Sequence, residues 1–381
     1  MSVEGAPAAT QTSAAPARVG AAGAFRVEAH RAFDFLHADY RDLWARSGAT
    51  AFQSPLWLDR IFARLVPRDG GTPLILTARA ADGRLVLVLP LVARRRGGLT
   101  VLDYAGSDVC DYVALVAAPE IESLLKTEQG DALRAAIARA MPRLAWGRLR
   151  NVREDHTILR DLLPRSGVAV MPYRAHACAL EPDAEAWRAR AMSDKFRRNL
   201  DRANAQLRKR GAVRLREATT MGEIEAAFAA MREARGKRFA DDVLQDDERF
   251  AFFLDMAARG AGEGAARTYA LTLDDEIVAV VFGLARGDTF AFTLMGFSDA
   301  HRKHSPGLLV VEAVIKDCIS RGERTFDMTI GDERYKADFG AAETRLLELW
   351  IGNPALIWAA RRGREAARAV KRWRAARQAV K

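Results

Sequence analysis

The apolar and polar positions divide the chain into two stretches, each running from β-type alternation into helical spacing and back to a strand. In the first, residues 72–81 and 84–96 are β-rich runs meeting at Asp82-Gly83, a pair that supplies the positive φ angles of a tight type I′ turn. An antiparallel hairpin is expected there. Gly97-Gly98 marks the next turn, and 99–104 and 112–117 continue the sheet. Residues 122–140 then have helical spacing, 146–152 read as a strand, 156–163 as a short helix and 168–180 as another strand.

The second stretch is more legible. Residues 212–218 form a strand, and Thr220 with Glu223 makes a capping box that opens a helix over 224–235. A helix over 247–259 follows, then three strands at 267–273, 277–285 and 289–297 with turns at 274–276 and Gly287-Asp288. After a loop over 298–306 come a helix at 307–320 stopped by Gly322, a strand at 324–330 and a last strand near 346–351. Between the stretches, 183–210 is helical and very basic from Arg188 onward. Phe196, Leu200, Ala203 and Leu207 make one apolar stripe, and Gly211 ends the helix. Asp111 and Tyr112 are expected where the first stretch faces the second.

Composition narrows the classes. At 381 residues, 49% hydrophobic and 28% charged, the chain has material for two packed cores. Residues 1–24 are rich in Ala, Pro, Gly, Ser and Thr and predict a disordered leader, not a signal peptide. The longest apolar run, 85–93, contains Pro90 and falls far short of the roughly 20 residues that span a bilayer. Cys110, Cys178 and Cys318 have no metal or redox spacing, which predicts a reducing, cytoplasmic setting and no metal site. The net charge of +10 is mostly a tail property: residues 357–381 hold nine Lys or Arg against one acid, leaving 50 bases and 48 acids elsewhere. That distribution argues against a nucleic-acid partner gripped along the folded surface.

The densest chemistry lies at 301–315. A strand runs into a cationic loop, Ser305 stands at an N-cap position, Pro306 at N1, and an apolar helix follows. Unpaired amides and the positive end of the helix dipole, with Arg302, Lys303 and His304 beside them and Gly307 allowing close approach, suit a pyrophosphate.

The run Arg302-Lys303-His304-Ser305-Pro306-Gly307 resembles the Q/R-x-x-G-x-G/A pyrophosphate loop of GNAT acetyltransferases, with Ser305 where the first glycine usually stands. The segment from about 195 to 339, through KFRRNL, REARGKRF, HRKHSPG and TFDMTIGDERYKADF, resembles the CelD-like (BcsL-like) acetyltransferases of cellulose and exopolysaccharide biosynthesis. A weaker resemblance covers 52–116, through FQSPLWL, DGRLVLVLPLVARRR and the Asp111-Tyr112 pair. The resemblance implies an α/β fold of mixed sheets: two tandem GNAT-like acyltransferase domains, distantly Fem-like. The expected borders are 1–24 leader, 25–182 first domain, 183–211 basic connecting helix, 212–353 second domain and 354–381 basic amphipathic tail.

It also implies acetyl-CoA or another acyl-CoA as co-substrate, bound by Arg302, Lys303, His304, Ser305 and Gly307, with the thioester beside the parted ends of the strands at 289–297 and 324–330. Acyl transfer needs a base for the nucleophile, a donor to the oxyanion and an acid for the thiolate. Tyr335 is expected to protonate the thiolate, Asp332 or Asp327 to take the acceptor's proton, and Lys336 to hold an anionic group. The acceptor is expected to be a small molecule or saccharide. Ala366, Val370, Trp373, Ala376 and Val380 share one face of the tail, which predicts a helix lying on an anionic membrane surface. Two rival readings are a non-catalytic GNAT-like accessory protein and a nucleic-acid binder using 183–210 and the tail.

Overall fold

The computed structural model describes residues 18–22, 25–106, 108–163, 165–238 and 241–364, with backbone alone at 18–22 and 165–166. The strands are β1 (Arg18–Ala22), β2 (Phe25–His30), β3 (Thr72–Ala80), β4 (Leu85–Arg96), β5 (Leu99–Tyr104), β6 (Val116–Ala117) and β7 (Ala145–Arg153), then β8 (Arg165–Ala179), β9 (Val213–Ala218), β10 (Ala266–Leu273), β11 (Glu276–Arg286), β12 (Thr289–Phe297), β13 (Thr325–Ile330) and β14 (Ala342–Gly352). They form one mixed sheet ordered β1-β2-β3-β4-β5-β7-β14-β8-β13-β12-β11-β10-β9, with β6 beside β4. The expected leader therefore contains β1, which pairs with β2; residues 1–17 and 23–24 lie outside the described residues. So do residues 365–381, most of the expected tail.

The two halves interlock through this sheet. β14, the last strand of the second half, lies antiparallel between β7 and β8 of the first, with Trp350 opposite both Arg148 and Gly167. β8 in turn pairs with β13. Neither half closes its sheet without the other.

Several local expectations need correction. The hairpin between β3 and β4 turns over Ala81 to Arg84 rather than two residues, with a bulge at Ala78/Arg79; the Asp82 carboxylate accepts the Arg84 amide at 2.9 Å while Gly83 takes φ 84°. Of 112–117, only Val116–Ala117 is strand. The helix expected at 122–140 is two, Glu120–Leu124 and Glu128–Ala140. The basic connection is also two helices, Ala184–Ala191 and Asp194–Arg208, because Met192 is extended and Ser193 caps the second by accepting the Phe196 amide. Leu200 and Leu207 are buried as the stripe requires, in the same core as the helix Pro306–Ser320. The Thr220–Glu223 capping box forms on helix Met221–Gly236 as expected.

The seam between the halves is aromatic and ionic. Trp57 is fully buried, edge-on to Phe252 and Phe253 of helix Asp247–Glu263 at 4.9 and 5.9 Å, and its indole donates to Cys110 Sγ at 3.2 Å. Arg249 of that helix bonds Asp69 and Asp108 of the first half, and Arg68 answers with both oxygens of Asp246. Trp57→Ala empties the middle of this seam and is expected to cost about 3–5 kcal/mol, with both halves still unfolding in one urea transition. A loss under about 1 kcal/mol, or two separated transitions, contradicts the interlocked packing.

Candidate active site

β12 and β13 are parallel neighbours joined by the crossover helix Pro306–Ser320, and their ladder lasts only from Thr289↔Thr325 to Ala291↔Asp327. Beyond that the strands part. The cause is local: Thr329 is held at φ 53°, β13 slips register against β8 between Asp327 and Ile330, and Gly331 follows at φ 116°. Thr329 Oγ1 donates to the Phe292 carbonyl at 3.2 Å across the opening. The result is a crevice of about 370 Å³ between Phe292, Leu294 and Met295 on one strand and Met328, Thr329 and Ile330 on the other. Asp108 and Asp111 enter it from the first half, and Arg235, Arg238, Tyr335 and Lys336 complete its walls.

Asp327 lies beneath the crevice and is not free to work as a base. Its Oδ1 accepts the Tyr112 hydroxyl at 2.7 Å and the Thr329 amide at 2.8 Å, and Arg153 stands 3.6 Å from Oδ2. Burial raises its pKa, against the pull of Tyr112 and Arg153. The Arg153 guanidinium also covers the Tyr112 ring at 5.3 Å, so one cation satisfies an acid and a ring drawn from different halves. This cluster holds Tyr112, and with it the adjoining Asp111, against β13.

Asp111 is one of three carboxyls lining the crevice, with Asp108 and Glu333. Burial pushes it up to about 7; Asp327 adds to the rise, while contact with Thr329 and the charges of Lys336 and Arg235 oppose it. A carboxyl titrating near neutrality at a cleft is poised for general-base work. The sequence places Asp111 at the junction, and the Asp111-Tyr112 pair belongs to the weaker family resemblance, but neither singles it out as the base.

The residues after β13 divide sharply. Asp332 is exposed and turned toward β8, where Oδ1 accepts the Arg174 amide at 3.1 Å and lies 3.4 Å from His176 Nε2. It closes the β8 edge and does not line the crevice, so its expected role as base is not supported by its position. Tyr335 and Lys336 sit on a short helix, Arg334–Asp338. Lys336 is buried, with Nζ donating to the Ile330 carbonyl at 2.6 Å and 3.1 Å from Glu333. Its charge therefore fixes the crevice lip as well as facing in. Burial raises the Tyr335 phenol, keeping it a proton donor at neutral pH.

The cationic loop is a 3-10 turn, Asp299–His304, leading into Pro306–Ser320. Arg302 and Lys303 are exposed; His304 is 7% exposed, and both its ring nitrogens are buried with no partner among the described residues. Burial, then Arg210, Lys303 and His301, lowers the His304 pKa. Ser305 sits at φ 51°, ψ 46°, the left-handed backbone a glycine adopts freely, and its side chain makes no cap bond, which corrects the expected serine cap. The Leu308 and Leu309 amides both turn back to the Ser305 carbonyl, and the Gly307 amide has no acceptor among the described residues. An orphaned amide, an orphaned imidazole and two exposed cations at the start of a 15-residue helix fit the diphosphate of an acyl-CoA. Gly307 is also required by packing: a Cβ there would stand 2.8 Å from the Phe297 ring. The other partner of that ring is Arg238, whose guanidinium carbon lies 3.4 Å from its centroid and whose Nη2 donates to the Phe297 carbonyl at 2.9 Å.

Residues 194–337 match the model of the acetyltransferase (GNAT) domain family. The second half is thus a GNAT-type acetyltransferase domain, and the chain is an acyltransferase; such a domain implies an acyl-CoA co-substrate. No curated protein matches the chain. Similar solved structures include FemX (12% identity, 87% of this chain, 99% of that one, TM-score 0.60) and L-PGS from Bacillus licheniformis (12%, 84%, 94%, 0.51). A tandem GNAT protein from the clavulanic acid biosynthesis pathway aligns at 14% identity over 86% of this chain and 98% of that one, with a TM-score of 0.47. At these identities the likeness to FemX and L-PGS is one of fold.

Two predictions test this geometry. Holding serine left-handed costs about 1 kcal/mol, partly offset by glycine's backbone entropy, so Ser305→Gly is expected to leave the chain as stable or up to about 1 kcal/mol more stable, read by urea unfolding; a clear loss contradicts the assigned backbone. Asp332→Asn is expected to keep acyl-transfer turnover within about twofold, since the amide still accepts from Arg174. A hundredfold loss returns Asp332 to the chemistry.

Proposed function

We propose that this enzyme moves an acyl group, acetyl by default, from acyl-CoA to an amine or hydroxyl of a saccharide acceptor, as a cytoplasmic member of the CelD-like (BcsL-like) group serving exopolysaccharide or cellulose synthesis. The observation carrying this reading is the parted β12–β13 pair, which sets Asp111 and Tyr335 on one crevice with Phe297, the ring that packs against Gly307. The saccharide part rests on the resemblance of the 195–339 motifs.

The arrangement supports direct transfer. The diphosphate lies against His304 and the Gly307 amide, with Arg302 and Lys303 outside, and the thioester enters between the strands. The acceptor's nitrogen or oxygen attacks the carbonyl carbon while Asp111 takes its proton. As the tetrahedral intermediate collapses, the C–S bond breaks and Tyr335 donates its proton to the leaving sulfur. Solvent then returns a proton to Tyr335 and removes one from Asp111. Lys336, beside both Asp111 and Asp327, limits the negative charge gathered in the crevice.

The pH dependence follows from Asp111. Its folded pKa of about 7 lies above the ordinary aspartate value of 3.8, so the folded state holds a proton the unfolded state has lost, and Asp111 lowers stability as pH rises through that window. The base form appears over the same range. Turnover per acyl-CoA is expected to climb with pH through about 7 in the natural chain. Asp111→Asn is expected to lose about 100-fold or more, to flatten the profile and to gain stability above neutrality. An unchanged profile in the variant contradicts the assignment.

Acetyl-CoA at 100 times its Kd is expected to stabilise the chain by about 2.7 kcal/mol, and Arg302→Ala with Lys303→Ala to weaken binding at least tenfold. We extend the proposal to peripheral attachment at an anionic membrane face through the tail. No helix among the described residues is long and apolar enough to cross a membrane. Ile357 is buried, so the informative truncation ends after Arg364. Full-length chain is expected to sediment with anionic vesicles and the truncated chain to stay in solution; equal sedimentation removes the tail from the account.

A further inference from the structure

A second concavity lies on the sheet face where the halves interlock. It encloses about 550 Å³ over β7, β8 and β14, within the range of small-ligand sites. Its floor is Trp350, stacked on Trp146 at 6.0 Å and approached by the guanidinium carbons of Arg148 and Arg364 at 5.5 Å and Arg361 at 6.0 Å. One carboxylate, Glu348, serves two of these cations: Oε2 accepts from Arg148 at 3.1 Å and Oε1 from Arg364 at 3.3 Å. Arg150 and Arg361 also line the groove, and neither has a carboxylate partner among the described residues. The lining thus carries four arginines against one acid. Such an excess is costly to gather without an anion to answer it, since each guanidinium repels its neighbours; Arg364 and Arg150 both help to lower the pKa of Arg148, after burial.

The groove points toward the chemistry. Tyr173 lines it, and its hydroxyl donates to Asn151 Oδ1 at 2.8 Å. The Asn151 carbonyl accepts the Val113 amide at 3.2 Å, two residues from Asp111. Burial raises the Tyr173 phenol; Arg150 opposes the rise, and the Asp111 charge, reaching the same phenol, adds to it. Along β7 the route runs from Arg148, opposite Trp350, to Arg153, opposite Leu346 and 3.6 Å from Asp327. Five residues of strand span about 16 Å.

We propose that this groove is the acceptor's anion site: its arginines hold phosphate or carboxylate groups of the acceptor about 10–16 Å along β7 from the nucleophile that enters the crevice. The inference rests on the acyl-transfer reading and adds a substrate class to it, an elongated saccharide bearing anionic groups rather than a neutral sugar. Bidentate pairing of planar guanidinium with either oxyanion supplies the recognition, and Trp350 supplies a flat wall.

The experiment uses the full chain and the double variant Arg150→Ala, Arg361→Ala. Both side chains are exposed and outside the Glu348 pairs, so their loss leaves no buried carboxylate alone. Calorimetric titrations would use UDP-N-acetylglucosamine for the diphosphate arm, trigalacturonate for the carboxylate arm and maltotriose as the uncharged control, with acetyl-CoA titrated into the same preparations. The groove predicts that at least one anionic probe binds, that its Kd rises about tenfold or more in the variant, that acetyl-CoA does not displace it, and that the variant keeps its acetyl-CoA affinity within twofold. Binding of neither anion, equal Kd in both chains, or displacement by acetyl-CoA overturns the proposal. A variant whose sole defect is weaker association with phosphatidylglycerol vesicles overturns it too, by making the surface a membrane contact. Failure of acetyl-CoA to bind either chain, with the anion titrations as expected, counts against the acyl-transfer reading and not against the groove.

Discussion

The insertion of β14 between β7 and β8 is the constraint on which the molecule depends. A strand that completes another half's sheet brings its backbone ladder with it, so the relative position of the halves is set by hydrogen-bond register and not by a loose contact surface. That register delivers Asp111 and Tyr112 from one half to β13 of the other. It also closes the sheet face on which the arginine groove lies.

Fixing the halves makes possible an arrangement that would otherwise be expensive. Asp327 is buried and Asp111 half-buried close to it, and two carboxylates so placed cannot both remain charged without compensation. The Tyr112 hydroxyl, the Thr329 amide and Arg153 compensate Asp327, while burial first, with the Asp327 charge adding to it, moves the titration of Asp111 toward neutrality. The strained Thr329 backbone belongs to the same device, since it both parts the strands and presents its amide to Asp327.

Much of the second half was legible because its signals are local. Capping by Thr220, the meander of β10 to β12, and the Pro306 helix after a cationic loop all follow from short-range residue chemistry. The left-handed Ser305 explains how a serine occupies a place where glycine is usual. What stayed hidden was non-local. Nothing in the residues 342–352 announces that they pair with strands nearly two hundred positions earlier, and Asp332, adjacent in sequence to plausible catalytic groups, turns to β8 because Arg174 offers it an amide. The assignment of Gly307 to phosphate approach missed Phe297 for the same reason.

The central claim is that an acyl-CoA lies with its diphosphate at the start of the Pro306 helix and its thioester between β12 and β13. Amide hydrogen exchange with and without acetyl-CoA measures this directly. Slowed exchange confined to residues 302–309 and to the parted ends of β12 and β13 is the predicted result, because those amides are the ones the ligand would cover. Unchanged exchange at both places, with protection elsewhere on the chain, would contradict the account.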